Sequence, residues 1–180
     1  LTGYRCPDST LATIGRCILN LPPEALIALS GFMLSRKTEA VRLIVSKIPI
    51  QQIDAYLSSI DWPGDTRYIR TLTDRYSGLF DHAAYNIHID TELKPYLGIE
   101  MYLKQNIYTR YDPRWETLFD MLKADGLIQD QKRLGLRKFP GVTSFSHLYP
   151  VRYHCLINHL KLVYKEGFPN ECKGYFGIKT

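Results

Sequence analysis

The sequence predicts an α+β protein in which antiparallel strands carry amphipathic helices on one face. Two stretches, around 82–104 and 155–179, each contain two runs of alternating apolar and polar residues joined by a short turn. Such alternation is typical of antiparallel hairpins. Each stretch follows segments whose apolar residues recur at helical spacing, at about 50–79 and 113–138. Because these helices must bury their apolar stripes, we expect them to cover the apolar face of the strands.

Residues before the first unit are predicted to contain two helices and one strand. Asp8-Ser9-Thr10 is typical of a helix start, and Pro23 suits the first turn of a second helix over about 23–34. Residues 40–45 are rich in β-branched side chains and are predicted to form a strand.

Turn and capping residues set the ends of the middle helices. Pro49 begins a helix that Trp62-Pro63-Gly64 ends, and Asp65 is predicted to cap the next one. Asp112-Pro113 begins a later helix, which Gly126 ends. We expect a loop over 141–150, before the second hairpin.

The order helix, helix, strand, strand therefore occurs twice, over about 50–104 and 113–179. This order predicts a repeated unit, although low identity between the copies leaves chance recurrence open. We divide the chain into an N-terminal helical segment, 1–39, and a sheet domain, 40–180. Since the chain begins with Leu1 rather than Met, we expect one domain whose upstream sequence is missing.

The composition indicates a folded cytoplasmic protein. A hydrophobic content of 45% with 13 Tyr and 7 Phe argues against disorder except at the ends of the chain. The longest apolar stretch, 21–34, is shorter than the roughly 20 residues of a membrane span, and no signal peptide is apparent. The net charge of +5 is dispersed along the chain, so nucleic acid is not an expected partner. Four cysteines without a CxxC pair are expected to be free thiols rather than zinc ligands.

Alternation predicts one apolar and one polar face for the sheet. The apolar face is predicted to carry Tyr85, Ile87, Ile89, Leu97, Ile99, Met101 and Leu103, then Leu156, Leu160, Leu162, Tyr164, Cys172, Phe176 and Ile178. The polar face is predicted to carry Asn86, His88, Asp90, Gly98, Glu100 and Tyr102, then His159, Lys161, Val163, Glu171, Lys173 and Tyr175. A turn centred on Phe168 places Lys161 opposite Tyr175.

In the first hairpin, a turn centred on Lys94 places His88 opposite Glu100. With Asp90 as a second nearby carboxylate, we expect the pKa of His88 to be raised. This pair also suggests two metal ligands, but no third ligand is evident, so no metal is predicted. No GxSxG, GxGxxG or P-loop motif is present, which argues against the corresponding hydrolases and nucleotide-binding folds.

The polar face has two interpretations. Antiparallel sheets often keep one face in water, and polar residues there are ordinary. A lined chamber is favoured by the tyrosine hydroxyls of Tyr102 and Tyr175 among the charges, by Gly98 within a strand, and by the chemical mixture of the side chains.

Several stretches carry a resemblance to a known group of proteins. They are Tyr96-Leu97-Gly98-Ile99-Glu100-Met101-Tyr102, Ile157-Asn158-His159-Leu160-Lys161-Leu162-Val163-Tyr164, Glu171-Cys172-Lys173-Gly174-Tyr175-Phe176 and Trp62-Pro63-Gly64. They resemble an uncharacterised bacterial family associated with peptide natural-product gene clusters. The resemblance covers about residues 40–180 and implies no defined activity.

Lys173-Gly174-Tyr175 is also similar to the strand-borne Lys-x-Tyr pairs of the aromatic prenyltransferases of the αββα-barrel type. This second resemblance implies helix-hairpin units around a ten-stranded barrel that holds a prenyl diphosphate against Lys, Arg and Tyr. The chain departs from that pattern because only five strands are recognisable. Upstream sequence or another subunit of a homo-oligomer would have to complete a partial barrel.

The resemblance implies a transferase that moves a prenyl group from a diphosphate to an aromatic acceptor, which could be a peptide side chain. The predicted catalytic residues are Glu100, Asp90 and His88, and the predicted substrate-binding residues are Lys161, Lys173, Tyr175, Tyr102, His159 and Arg42. The expected partners are the prenyl diphosphate and an aromatic or peptide substrate, with no cofactor, metal, nucleic acid or membrane. The alternative is a non-catalytic accessory protein that binds a precursor peptide.

Overall fold

The computed structural model describes residues 6–32, 40–103, 112–143, 152–167 and 170–179. The helices in these residues are α1 Asp8–Leu19, α2 Ile53–Ser59, α3 Thr66–Tyr76, α4 Arg114–Ala124 and α5 Asp130–Lys138, with short 3-10 turns at Ile50–Gln52 and Ser77–Leu79. The strands are β1 Leu26–Phe32, β2 Val41–Ser46, β3 His82–Ile89, β4 Leu93–Tyr102, β5 Gly141–Thr143, β6 Tyr153–Lys165 and β7 Glu171–Lys179. The chain is thus an α+β protein.

The seven strands form one antiparallel sheet with the order β1-β2-β3-β4-β6. Strand β6 is long enough to pair with two strands along one edge. Its second half, 160–165, pairs with β4, and its first residues, 153–155, pair with β5. The opposite edge of β6 pairs with β7. The sheet is open within the described residues, so the repeated units and the barrel stay predictions.

Helices and sheet share a single apolar core. From the sheet it contains Val41, Leu43, Val45, Tyr85, Ile87, Ile89, Leu97, Ile99, Met101, Leu160, Leu162 and Tyr164. From the helices it contains Cys17, Ile53, Tyr56, Leu57, Ile69, Leu72, Tyr76, Trp115, Leu118, Phe119 and Leu122. The strand residues occupy alternate positions, as the sequence predicts. The helices therefore pack on the face that leaves the polar side chains on the other side of the sheet.

The predicted helix over 23–34 is wrong, because residues 26–32 form strand β1. Pro22 and Pro23 give a turn, in which the Ala25 N–H donates to the Pro22 carbonyl at 2.9 Å. The following segment then pairs with β2, which would otherwise expose an unpaired edge. Part of the loop predicted over 141–150 is also wrong, since 141–143 pairs with β6 as β5; residues 144–150 lie outside the described part of the chain.

The helix ends agree with the capping residues in the sequence. Asp65 Oδ1 accepts a hydrogen bond of 2.9 Å from the Tyr68 N–H, so the predicted cap of α3 is confirmed. Gly126 follows α4 with a φ of +71°, a conformation that glycine adopts without strain. Trp62 Nε1 donates to the Lys94 carbonyl at 2.9 Å, which ties the turn after α2 to strand β4.

Two further observations concern the chain as a whole. The helices in the described ranges are all too short or too polar to span a membrane. The four cysteines, Cys6, Cys17, Cys155 and Cys172, are free thiols.

Candidate functional site on the polar face

The register of the first hairpin differs from the predicted one. Glu100 lies opposite Ala84, and Asn86 lies opposite Gly98, so the predicted pairing of His88 with Glu100 is wrong. Strand β4 already begins at Leu93, and an irregularity interrupts the ladder between Ile87 and Ile89. The turn therefore comes earlier in the sequence than the predicted centre at Lys94. The change moves each partner by an even number of residues, so no side chain changes face.

The second hairpin shows a smaller change. Lys161 lies opposite Lys173, and His159 lies opposite Tyr175, so the predicted pairing of Lys161 with Tyr175 is wrong. This register centres the hairpin before Phe168, at Gly167, whose φ of +75° suits a turn.

A bulge in β6 changes the face of one predicted core residue. The ladder is irregular between Ile157 and His159. As a result Leu156 pairs with Gly177 and lies on the same side as Tyr175, so its predicted place on the apolar face is wrong. Ile157 is buried in the core instead. Such an extra residue reverses the alternation beyond it.

One row of aromatic rings crosses four strands of the polar face. It consists of His82 on β3, Tyr102 on β4, His159 on β6 and Tyr175 on β7; we call it the aromatic row. Successive ring centroids lie 4.6, 4.7 and 4.3 Å apart, and the first and last pairs are stacked. Tyr175 is partly exposed, whereas His159 is buried. The row thus leads from the edge of the sheet to its buried centre.

A cluster of polar side chains lies beside the aromatic row. It consists of Asn86 on β3, Glu100 on β4 and Lys161 on β6, and we call it the charged cluster. Their exposed fractions are 0%, 5% and 3%. Lys161 Nζ donates to Asn86 Oδ1 and lies 3.5 Å from Glu100 Oε1. Tyr102 connects the cluster to the aromatic row, because its hydroxyl donates to Glu100 Oε2 at 2.6 Å.

Gly98 gives Lys161 its path to Asn86. A Cβ at residue 98 would overlap Cε of Lys161 and would lie 2.8 Å from its Nζ. The space that a glycine leaves in the strand is therefore filled by the lysine side chain. Together with the burial of the charged cluster, this places the centre of the polar face away from water.

Burial dominates the protonation of the charged cluster. It lowers the pKa of Lys161 to about 8, with Glu100 acting in the opposite direction and the positive charges of Arg42 and Lys173 adding to the decrease. For Glu100, burial raises the pKa, but the hydrogen bond from Tyr102 and the neighbouring positive charges outweigh it, so the pKa lies below its ordinary value. Lys161 therefore carries less than a full charge near pH 8.

His159 is the histidine that lies near Glu100. Its Nε2 is 3.7 Å from Glu100 Oε1, which is beyond hydrogen-bonding distance. Burial lowers the pKa of His159, and the attraction of Glu100 opposes this without reversing it. At His159 burial therefore outweighs the attraction of the neighbouring carboxylate.

Three side chains on this face have buried polar atoms without a hydrogen-bond partner among the described residues. They are Arg42 at Nε, Asn86 at Nδ2 and His159 at both ring nitrogens. The Asn86 amide lies close enough to Glu100 to help lower its pKa, yet Nδ2 makes no hydrogen bond of ordinary geometry. A buried polar group left unsatisfied costs about 1–3 kcal/mol. Such groups in one region indicate a place where a ligand could bind.

The remaining predicted site residues lie further from the charged cluster. Arg42 and His88 pair across β2 and β3, and the His88 ring contacts the edge of Tyr96 at 4.4 Å. Asp90 lies at the hairpin turn, where its carboxylate is 3.2 Å from Lys94 Nζ. The structure therefore does not bring Asp90 to Glu100.

Lys173 is half-exposed, and its Nζ lies 3.2 Å from Glu171 Oε2. It occupies the edge strand opposite Lys161. Asn86 is predicted on the polar face by alternation, but sequence reasoning misses it as a site residue. Its signal in the sequence is a carboxamide between Tyr85 and Ile87 in an otherwise apolar strand centre.

Metal binding is not indicated by the described residues, which contain no group of three His, Cys, Asp or Glu side chains that could hold an ion. Comparisons with protein-family models, with curated proteins and with solved structures found no match for this chain.

Proposed function

We propose that the chain is a transferase of the aromatic prenyltransferase type, which moves a prenyl group from a diphosphate donor to an aromatic acceptor in a peptide natural-product pathway. One observation carries this proposal: a buried charged cluster lies directly beside a row of stacked aromatic rings. The charged cluster suits an anionic leaving group, and the aromatic row suits an aromatic acceptor and a developing carbocation.

The positive charges support a diphosphate ligand. Arg42 and Lys173 both disfavour the charged form of Lys161, so these cations lie within electrostatic range of it. Glu100 is the carboxylate that contacts Lys161, and it also accepts a hydrogen bond from Tyr102. A diphosphate would supply the negative charge that this group of cations lacks.

The reaction would proceed by breaking the C–O bond between the prenyl carbon and the diphosphate. The diphosphate leaves with the electron pair, and a ring carbon of the acceptor forms the new C–C bond. The ring proton is then lost to a base. Glu100 would hold the O–H or N–H of the acceptor and make the ring more nucleophilic, while His159 lies next to Glu100 as the acceptor of the ring proton.

A closed chamber would need more strands than the open sheet contains. We propose that a second copy of the chain extends the sheet towards a barrel, with the helix-hairpin unit as its repeat. The recurrence of two helices before each hairpin supports this arrangement. The mass of the isolated chain in solution, measured by light scattering, tests this arrangement.

Calorimetric titration with dimethylallyl and geranyl diphosphate tests the enzyme proposal. We expect binding by the wild type and its loss in Lys161→Ala and Lys173→Ala. Lys123→Ala serves as the control, because Lys123 pairs with Asp130 on the helical side of the molecule. Absence of heat at millimolar ligand, with the protein folded by circular dichroism, would end the proposal for this chain.

A second candidate is a non-catalytic accessory that binds a precursor peptide. It is favoured by β7, which within the described residues pairs with β6 alone and carries the exposed side chains Phe176 and Ile178, 49% and 61% exposed. An extended peptide could add to this edge as a further strand. Binding of a labelled unstructured peptide, measured by fluorescence anisotropy, should then be weakened only modestly by Lys173→Ala.

A further inference from the structure

We infer that Arg42, Asn86 and Lys161 form a subsite for one phosphoryl-type oxyanion, with the neutral amide of Asn86 as its central hydrogen-bond donor. This inference shares with the proposed function only the premise that the polar face binds a ligand. It adds Asn86 to the site, and it specifies that the phosphoryl end of the ligand binds there.

The three donors come from three strands, and two of them, Asn86 and Lys161, meet beside Gly98. Asn86 lies opposite Ile44 on β2 and opposite Gly98 on β4. Arg42 is two residues from Ile44 on the same face, which is the diagonal position within reach of a long side chain. Lys161 crosses Gly98 to reach Asn86.

Two of these donors are buried and unsatisfied among the described residues. Asn86 is 0% exposed, and its Nδ2 makes no hydrogen bond of ordinary geometry. Arg42 Nε is likewise buried without an acceptor. Buried donors in native proteins are nearly always paired with protein, water or ligand, so an acceptor belongs at this position.

The charges favour an anion with several oxygens. Arg42 and Lys173 each lie within electrostatic range of Lys161, and Glu100 is the carboxylate that contacts Lys161. A phosphoryl group presents three free oxygens to donors from three directions, whereas a carboxylate presents two. It would also supply the second negative charge that balances the cations.

An anion at this subsite should reverse the effect of burial on Lys161. In the free protein, burial and the neighbouring cations lower the pKa of Lys161 to about 8. A negative charge beside Nζ favours the ammonium form. Binding at pH 8 should therefore be accompanied by uptake of a fraction of a proton.

The subsite also fixes the direction of the ligand. Glu100 lies between Asn86 and the aromatic row, since it contacts Lys161 on one side and Tyr102 on the other. The phosphoryl end would lie beside Asn86 Nδ2 and Lys161 Nζ, and the organic part would extend past Glu100 towards His159 and Tyr175.

Titration with inorganic pyrophosphate at pH 8 and constant ionic strength tests the inference. Calorimetry in two buffers of different ionisation enthalpy should give different apparent heats, which reports proton uptake. Asn86→Leu should weaken binding at least tenfold, and Arg42→Gln should weaken it by a similar factor. Asn158→Leu is the matched control, because Asn158 is an exposed asparagine at the bulge of β6.

Each outcome is decisive. Pyrophosphate that does not bind, or that binds folded Asn86→Leu and Arg42→Gln as well as the wild type, overturns the inference. Should Asn86→Leu fail to fold, Arg42→Gln decides alone. Acetate that binds as tightly as pyrophosphate shows that the phosphoryl class is wrong. If pyrophosphate binds with the expected dependence on these residues but prenyl diphosphates bind no more tightly, the inference stands and the proposed function fails.

Discussion

The side chain of Lys161 lies directly over the backbone of Gly98, close enough that a methyl group at residue 98 would overlap Cε of the lysine. This contact holds Nζ against Asn86 Oδ1 and beside Glu100. Because Gly98 on β4 has no side chain, the ammonium group of Lys161 on β6 can lie between Asn86 and Glu100.

Gly98→Ala should lower the free energy of unfolding by about 1–3 kcal/mol, the usual cost of inserting atoms into a packed region. Lys161 would have to withdraw from Asn86 and leave Glu100 less well compensated. Urea denaturation measures this change.

Gly31→Ala is the control for that substitution. Gly31 also lies within a strand, opposite Arg42, and a Cβ at this residue would meet no described atom within 4 Å. It should be neutral or slightly stabilising, because alanine loses less backbone entropy than glycine. If Gly98→Ala were no more harmful than Gly31→Ala, the contact with Lys161 would not constrain the fold.

Gly64→Ala should displace the indole of Trp62. A Cβ at residue 64 would overlap the six-membered ring and lie 2.8 Å from Cζ2, while Nε1 donates to the Lys94 carbonyl. The ring cannot move without loss of this hydrogen bond. We expect a red shift of the tryptophan emission as Trp62 becomes hydrated. The same substitution in Trp62→Phe, which retains Trp115, should leave the emission unchanged; a shift there would assign the effect to Trp115.

Asp65→Ala should destabilise the protein by about 1 kcal/mol, the typical value of an N-cap. The Oδ1 atom of Asp65 accepts the Tyr68 N–H in the first turn of α3. Asp65→Asn retains an acceptor oxygen and should recover most of the loss in thermal or urea denaturation. Equal losses in both variants would point to the charge of Asp65 rather than to its hydrogen bond.

The faces of the strands were predictable from the sequence, but their register was not. Alternation places Glu100, Lys161 and His159 on one face whatever the turn length, because a hairpin shifted by an even number of residues keeps its faces. Partner residues depend instead on where the chain turns and where a bulge occurs. The irregularity near His88 leaves no mark in the hydrophobic pattern. The bulge at Asn158 does, because two consecutive polar residues, Asn158 and His159, separate Ile157 from Leu160.

The burial of the charged cluster could also not be predicted from the sequence. Asn86 and Lys161 are polar residues at alternate positions, which is the pattern of a face in water. Their burial follows from the crossing of Gly98 by Lys161 and from the contacts of Lys161 with Asn86 and Glu100. Strand β1 could not be predicted from its own residues either. Its pairing with β2 outweighs the local helical pattern of its apolar residues.

The stability of the protein should depend on Lys161 at alkaline pH. The pKa of this lysine is about 8 in the folded chain, below its ordinary value of 10.5. Between these two values the unfolded chain binds the proton and the folded chain releases it. The free energy of unfolding therefore rises with pH over this window, and the protonated lysine makes the fold less stable below it. A shift of this size corresponds to about 3 kcal/mol when it is complete.

Lys161→Met removes this contribution and keeps much of the side-chain volume. The difference in unfolding free energy, wild type minus Lys161→Met, should increase between pH 7.5 and about 9.5, since other titrating groups are common to both proteins. Lys123→Met, on α4, controls for the change in net charge.

Glu100→Gln should lower the pKa of Lys161 further, because Glu100 favours the ammonium form. The rise should then begin at lower pH. A difference that does not vary with pH would show that Lys161 is solvated and that the charged cluster is not buried in solution.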